Sequence, residues 1–505
     1  MDCIITIEIG TSSVKVYGFD LNGRVIAHRK GIYPTFHPHP DYSEQDPEQI
    51  FITVLFVLKS FLNEHIHTKN HKVVALCFSA SMHSVLAVDD KGIALGNAII
   101  WADNRAIKEA ESLKKTDLGS QIYHATGTPI HPMSPLAKIK WIKNNEPDKF
   151  TKTQRFLSIK TYIIQQLTGQ YVVDYSMASA TGLFNIHQLK WNQDSLDYLG
   201  ITSDKIPTVV PVFFDELSLK KEICVSLGLL PKTKVIIGGS DGCFATLGAG
   251  VVGEGNATIS ITSSGAVRVA GKEVLKDEKQ RFFNYLIDKD FYISGGPTNN
   301  AGVVFEWFAR QFGDFSNVLD FEDAVNDLFK DASQVAAGAN GLIFLPYLFG
   351  ERAPLWNANA RGMYFGLNIS HEQKHFIRAT IEGILFEIYS IGKLLESYRR
   401  IDTLYVNGTF AALPLWASIL ADMYGKTVYV NDNHDSASVG AALVGLTQLG
   451  VFKNVEEASK IIQSSQVYQP NQQNHSVYMK YFEIFESLSY KLNAEFDAIA
   501  ALQHS

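Results

Sequence analysis

Cysteine is scarce in this chain: Cys3, Cys77, Cys224 and Cys243 are the only four in 505 residues, and none forms a C-x-x-C pair. That spacing excludes a disulfide framework and a zinc-ribbon site, and scattered thiols suit a reducing compartment. A basic excess is also lacking, with 45 Lys+Arg against 52 Asp+Glu and a net charge of −7. Neither nucleic acid nor an anionic membrane surface is therefore an expected partner. No apolar run reads as long enough to span a bilayer. The N-terminus opens on a strand, without a basic leader region. The expected setting is cytoplasmic. What is present is a globular composition, 46% hydrophobic and 19% charged. So long a chain exceeds what one core supports, and two large domains are expected, 1–250 and 251–505.

The most informative short stretch is Val235-Ile236-Ile237-Gly238-Gly239-Ser240-Asp241-Gly242. An apolar run of strand length ends in two glycines and delivers an acid. Gly238 and Gly239 leave room for a ligand or another backbone to approach. Gly242 leads into Cys243–Gly248, small and apolar enough to begin a helix. An acid at the carboxyl end of a strand in an α/β sheet stands where such folds place their chemistry. Alone, the stretch reads sooner as an ordinary strand-to-helix turn with Asp241 as the N-cap, because caps of that kind are common.

Two further stretches change that balance. Ile4 to Ile9 alternates poorly but is strand-like, and so is Val14 to Phe19; Gly10-Thr11-Ser12-Ser13 joins them as a hairpin turn. Such a turn offers N–H groups and hydroxyls to an anion, and Lys15 follows on the exit strand. It is not a Walker A loop, since no G-K-[ST] is present. Ile261-Thr262-Ser263-Ser264-Gly265-Ala266-Val267-Arg268 repeats the design about half a chain later. Two such hairpins, one on each side of Asp241, point to a duplicated architecture with two phosphate loops.

Other candidates stand at strand and helix ends. Asp46 and Pro47 open a helix through Leu62. Met82 and His83 follow the strand Val73 to Phe78, and Trp101-Ala102-Asp103-Asn104-Arg105 follows Ala98 to Ile100. Trp101 could pack on sugar carbons while Asp103 and Arg105 bond hydroxyls; the competing reading makes Asp103 a helix cap with Arg105 solvated. Met133 to Asn145 is an amphipathic helix with Pro135 at its start and Trp141 on its apolar face. Asn299 and Asn300 begin another helix, as ligands or as caps. The segment 315–336 is acidic and helical. Gly408-Thr409 ends a strand in a small turn. Ser438, Gly440 and Ala441 lie in a small-residue helix start that suits a planar ring or close helix packing.

Taken together, these stretches resemble the FGGY family of carbohydrate kinases over nearly the whole chain. The resemblance rests on Met133, Pro135, Lys138, Trp141 and Asn145, on Gly350-Glu351-Arg352-Ala353-Pro354 with Arg361-Gly362 and Gly366-Leu367, and on the order of the loops around Asp241. It implies an α/β fold of two actin-like (ribonuclease H-like) domains around a central nucleotide and sugar cleft. It also implies phosphoryl transfer from ATP to an alcohol group, with Mg²⁺. By resemblance Asp241 is the catalytic base, and Gly10, Thr11, Ser12, Ser263, Ser264 and Gly265 hold phosphates. Gly408, Thr409, Ser438, Gly440 and Ala441 flank the adenosine. Met82, His83, Trp101, Asp103, Arg105, Asn299 and Asn300 line the sugar site, and Glu8 and Asp241 serve the metal. Two positions depart from the family pattern: Glu8, where Asp is usual, and Thr409, where a second Gly is usual. Within the family, Trp101–Arg105 and Gly296-Pro297-Thr298-Asn299-Asn300 look most like the gluconate kinases. The expected reaction is phosphorylation of D-gluconate at O6. A xylulose kinase is the alternative, and a non-catalytic sugar- and ATP-binding protein a more distant one. The expected partner is a small sugar or sugar acid, with a homodimer left open.

Overall fold

The structure, a computed structural model, describes residues 1–312, 328–411, 413–431 and 435–503. Of the acidic helix expected over 315–336, residues 315–327 lie outside the described residues. Strand β1 (Asp2–Ile9) turns into β2 (Ser13–Asp20) with Ile9 opposite Val14 and Glu8 opposite Lys15. β3 (Val25–Ile32) pairs antiparallel with β2. Helix α1 (Pro47–Phe61) follows; Asp46 caps it by accepting from the N–H groups of Glu48 and Gln49, and Pro47 sits where no N–H is needed. β4 (Lys72–Ala80) runs parallel to β1 and β5 (Lys234–Ser240) parallel to β4, giving the order β5-β4-β1-β2-β3. Between β4 and β5 lie α2 (Pro135–Asn145), α3 (Ile159–Thr168) and the single turn α4 (Tyr175–Ser179), and β5 leads directly into α5 (Asp241–Gly248).

The second hairpin is β6 (Gly255–Ile261) and β7 (Gly265–Gly271), antiparallel with Ile261 opposite Gly265. Beyond it come α6 (Gly302–Phe312), α7 (Gln373–Glu396), β8 (Ile401–Asn407), β9 (Thr427–Asn431), α8 (Ser436–Gln448) and β10 (Ser464–Tyr468). β8 is parallel to β6 and β9 parallel to β8. The sequence β2-β1-β4-β5 is thus repeated, direction for direction, as β7-β6-β8-β9. The duplication suggested by two hydroxyl-rich turns is a duplication of strand topology.

The chain forms two compact units. One comprises Met1–Val252, Gly271–Ser294 and His434–Ile462; the other Gly253–Ala270, Gly295–Asn433 and Gln463–Ser505. The division expected at residue 250 follows chain order, whereas the first unit also takes back the segments 271–294 and 434–462. In that unit Ile5, Ile7 and Ile9 of β1 share a core with Ile50, Val54, Val57, Leu58 and Phe61 of α1. α8 covers the opposite face of the sheet, where Gly445 lies so close that an added Cβ would sit 2.1 Å from the Cδ1 of Ile4. Burial on both faces explains why β1 reads as a nearly continuous apolar run.

One expectation needs correcting. The helical stretch Pro47–His67, 21 residues, is by length and composition long and apolar enough to cross a membrane. The sequence reading found no run of that length and took the helix only to Leu62. Its Ile50, Val54, Val57, Leu58 and Phe61 side chains are packed in the core of the first unit.

Candidate active site

The turn between β1 and β2 is built to present its amides. Gly10 donates to the carbonyl of Ser13 (2.9 Å), and Tyr33 donates through its amide to Ser12 O (3.2 Å) and through its hydroxyl to Gly10 O. The Gln45 amide nitrogen donates to Thr11 O. All four turn carbonyls are thereby drawn into the protein. Among the described residues no backbone acceptor engages the N–H groups of Thr11 and Ser12. Consecutive amides turned away from their own carbonyls are the donor set of an anion site. The second turn repeats this within its own unit: Thr262 donates to Ser264 O (2.9 Å), while the first two amides of α6, on Gly302 and Val303, donate to Thr262 O and Ser263 O. Ser263 is exposed, Ser264 half-buried and Gly265 buried.

At the mouth of the first turn lies an acid cluster that the sequence only half revealed. Lys15, opposite Glu8 across the hairpin, lies 3.5 Å from its carboxylate and makes an ion pair with Asp435. Asp435 caps α8, accepting from the Ser438 N–H, and the Ser438 hydroxyl donates to Glu8 at 3.4 Å. Burial pushes the Glu8 carboxyl well above the usual carboxylate range, and the neighbouring Asp435 and Asp241 charges add to the shift. Asp435 is held below its usual value despite burial, by the Glu8 carboxyl and by Lys15. The two acids are thus shifted in opposite directions, Glu8 up and Asp435 down. Asp435 lies 420 residues from Lys15, and only its place just before a small-residue helix hinted at it. Among the described residues no three His, Cys, Asp or Glu side chains form a metal-ligating group.

Asp241 is the first residue of α5, directly after β5, and Ser240 holds the cap position, so Asp241 is not the N-cap that the local sequence allowed. It is half-buried, and Gly242 N–H donates to its Oδ1 at 2.6 Å. The glycines around it serve backbone contact. Gly238 has φ of +67°, and a Cβ there would fall 1.8 Å from Phe78 O. α5 and α8 touch through glycine, since a Cβ on Gly440 would fall 2.0 Å from Phe244 O and one on Gly248 1.9 Å from Ser436 O. Close helix packing accounts for Gly440, and Ser438 and Ala441 are buried beside it.

The sugar candidates of the first unit are ordered by a buried polar network. Asp103 is fully buried and accepts from Ser43 N–H (2.6 Å), from the Arg105 N–H (3.0 Å) and from Arg105 Nε and Nη2. Arg105 also donates to Glu44 (2.6 Å) and stacks on the Tyr42 ring at 3.8 Å. The reading of this pair as a helix cap with a solvated Arg105 does not fit. The following helix, Ile107–Lys114, has Ala106 at its cap, and Arg105 is buried rather than solvated. Trp101 donates to the Thr11 hydroxyl at 2.9 Å, which joins the sugar stretch to the first phosphate turn. His83, with φ of +66°, is oriented by Ala180 O (2.8 Å) and the Tyr285 hydroxyl (3.2 Å). A carbonyl only accepts, so Nδ1 carries a proton, and Nε2 is left to the Tyr285 hydroxyl. Met82 packs half-buried against an apolar cluster.

Lys138, a family marker with no role legible in the sequence, ties these stretches together. Its fully buried ammonium donates to His83 O (2.8 Å) and Ile100 O (2.7 Å), the chain ends that carry His83 and Trp101. Burial pushes this amine down to about 7; the Asp103 charge opposes the shift and Arg105 adds to it. The folded protein therefore binds fewer protons than the unfolded chain between about pH 7 and the ordinary lysine value near 10.4, and stability rises with pH across that window. Unfolding free energies measured from pH 6.5 to 9.5 are expected to climb in the parent, relative to Lys138→Met, by on the order of 1 kcal/mol per pH unit above pH 7. Parallel curves for the two proteins would rule this out.

The candidates of the second unit are differently placed. Asn300 is fully buried, donating to Gly350 O and to Glu351 (2.9 Å) and accepting from Phe349 N–H (3.1 Å). It neither caps α6 nor presents its amide to a ligand; it pins the loop of the second family marker. Asn299 is half-buried, its amide 3.3 Å from Phe349 O. Glu351, buried and raised above the usual carboxylate range chiefly by that burial, also accepts from the Thr298 hydroxyl (2.7 Å) and from the backbone N–H of Asn299 (3.2 Å). Gly408, with φ of +93°, passes so close to β6 that a Cβ would lie 2.4 Å from Ile261 O, and Thr409 beside it is exposed.

Repeated strand topology, two amide-presenting turns and an acid at a strand end offer places for an anion and for a carboxylate at a crevice. Residues 3–248 match the N-terminal domain of the FGGY family of carbohydrate kinases and residues 258–449 its C-terminal domain. The chain belongs to that family. It is similar to the gluconokinase of Bacillus subtilis (strain 168), with 35% identity over 507 residues, 99% of this chain and 98% of that protein. Among solved structures it is similar to a gluconate kinase from Lactobacillus acidophilus, with a TM-score of 0.93, 32% identity and 99% of each chain covered. It is equally similar to a ligand-bound xylulose kinase from the same species, with a TM-score of 0.93, 32% identity, 99% of this chain and 100% of that one.

Proposed function

We propose that this protein transfers the γ-phosphoryl group of ATP to D-gluconate, giving 6-phospho-D-gluconate. The observation that carries the kinase chemistry is the placement of Asp241 at the first turn of α5, in the same unit as a turn whose carbonyls all face inward. Transfer through a loose, in-line transition state leaves the protein mainly positioning and charge stabilisation to supply. In this reading the amides and hydroxyls of Gly10, Thr11 and Ser12, with Ser263, Ser264 and Gly265 of the second turn, hold the phosphates. Gly408, Thr409, Ser438, Gly440 and Ala441 flank the adenosine. Asp241 orients the sugar hydroxyl and takes its proton as the new P–O bond forms. Glu8 and Asp241 suit a hard divalent cation, because it prefers carboxylate oxygens and its charge would relieve the crowding of Asp435 and Asp241 that adds to the burial of Glu8. Glu8 and Asp241 would hold Mg²⁺ there, and it would supply charge neutralisation to the transferring phosphoryl group.

The choice of gluconate is supported by the 35% identical gluconokinase and by the stretches Trp101–Arg105 and Gly296–Asn300. Asn300 spends its side-chain donors inside the protein and Arg105 engages its Nε and Nη2 there, so recognition of the C1 carboxylate rests mainly on other groups at the site, with Met82, His83 and Trp101 shaping it. Each polar group matched to that carboxylate and left unpaired by a ketopentose costs about 1–3 kcal/mol. In a coupled ADP-release assay across aldonates and ketoses, kcat/KM for D-gluconate is expected to exceed that for D-xylulose by about a hundredfold or more. A panel in which D-xylulose is the better acceptor assigns the protein to the xylulose kinases instead.

A further inference from the structure

β5 carries a bulge shortly before it reaches α5. Lys234, Val235 and Ile236 pair in register with Ala75, Leu76 and Cys77 of β4, but pairing resumes only at Gly239 opposite Ser79. Two residues, Ile237 and Gly238, thus face the single residue Phe78. Their amides donate sideways, to Phe214 O (3.0 Å) and Val212 O (3.1 Å). A bulge of this kind re-aims the strand beyond it. The re-aimed peptide is the one joining Gly239 to Ser240, immediately before Asp241.

That peptide is held at both ends by one device. Its carbonyl, Gly239 O, accepts from Lys160 Nζ at 3.0 Å. Its N–H, on Ser240, donates to the Ser176 hydroxyl oxygen at 2.8 Å. Both partners are anchored on the same carboxylate: Lys160 donates to Asp174 Oδ2 (2.8 Å), and the Ser176 hydroxyl donates to Asp174 Oδ1 (2.5 Å). Asp174 Oδ1 also accepts from the amides of Ser176 and Met177, at 3.0 Å each, and so caps α4. Lys160 is 2% exposed, and Asp174, Ser176 and Ser240 are fully buried. Two buried charges and a hydroxyl are a costly way to stabilise a fold, since apolar packing of the same volume serves as well or better. They are an effective way to fix one peptide plane, because its carbonyl and its N–H are gripped from a single rigid origin.

We infer that Lys160, Asp174 and Ser176 form a positioning clamp for Asp241, setting the direction in which its carboxylate leaves the strand. The inference rests on the reading of Asp241 as the base, and these residues act through the Gly239–Ser240 peptide without touching substrate. Misplacement of a reacting group by about 1 Å costs up to about a hundredfold in rate. Loosening the clamp should therefore lower kcat and leave substrate affinity alone.

The test uses the full-length protein with gluconate and Mg-ATP, comparing the parent, Ser176→Ala, Lys160→Met, Asp241→Asn and the double variant Ser176→Ala/Asp241→Asn. Ser176→Ala and Lys160→Met are each expected to lower kcat by about ten- to a hundredfold, with both KM values within about threefold of the parent. Ser176→Ala is expected to add less than about twofold in the Asp241→Asn background, because a clamp that acts through Asp241 has nothing left to aim. Unchanged kcat in Ser176→Ala and Lys160→Met while Asp241→Asn loses about a hundredfold or more overturns the clamp and leaves the base in place. Near-parent kcat in Asp241→Asn overturns the reading of the base itself. Should Ser176→Ala fail to fold, Lys160→Met decides; should both fail, the network is a stability element and the inference falls.

Discussion

Asp241→Asn is expected to lower kcat by about 10²–10⁴-fold while sugar and nucleotide dissociation constants stay within a few-fold of the parent. The amide is nearly isosteric with the carboxylate and keeps an oxygen to accept from the Gly242 N–H, so the first turn of α5 should persist. What it loses is basicity: it can still orient a hydroxyl but cannot take its proton as the phosphoryl group transfers. A transition state that spreads charge over the phosphoryl oxygens still gains from the amide-lined turns, so a residual rate should remain. Coupled assays at saturating substrates, together with calorimetric titration of each ligand, separate the two effects. Near-parent turnover would remove Asp241 from the mechanism.

Asp103→Ala is expected to cost about 3–5 kcal/mol of folding stability. The family resemblance implies a sugar ligand here, yet both carboxylate oxygens accept from within the protein, from the Ser43 and Arg105 amides and from the Arg105 guanidinium. Removing the carboxylate leaves a cation that is 3% exposed facing Glu44 alone, and two amides lose their acceptor. Urea denaturation should show the loss as a lower midpoint. A variant with parental stability and a sugar KM raised tenfold or more would instead make Asp103 a direct ligand.

The parts of this molecule that were legible in the sequence are those written in adjacent residues. A turn of Gly, Thr and Ser between two apolar runs specifies a hairpin by itself, and its second occurrence exposed the duplication. The Gly-Gly-Ser-Asp stretch likewise marked a strand end before a helix. Burial of β1 on both faces was hidden in its poor alternation, a pattern that gains meaning only once α1 and α8 are known to cover it. The polar networks were not legible, because their members are distant in the chain. Lys160 sits between Ile159 and Thr161 like any cation on an amphipathic helix, and nothing local says that it reaches Gly239, 79 residues on. Asn300 was read as a cap or a ligand because those roles are local, while its actual partners lie about 50 residues away. Asp435 and Glu8 are separated by most of the chain.

The route by which the chain closes its first unit sets an order of events at the ribosome. Residues 1–252 emerge first, but α8, whose Gly440 and Gly445 seat it against α5 and β1, belongs to a segment that ends at Ile462. Until nearly the whole protein has been synthesised, one face of the sheet and the backbone of α5 near Gly248 have no cover. Closure then joins residues hundreds of positions apart, which is the slow kind of contact and leaves apolar surface open to other chains meanwhile. The order of synthesis is not the order of completion, and a nascent chain stalled at residue 430 has made its Asp241 strand without the helix that encloses it.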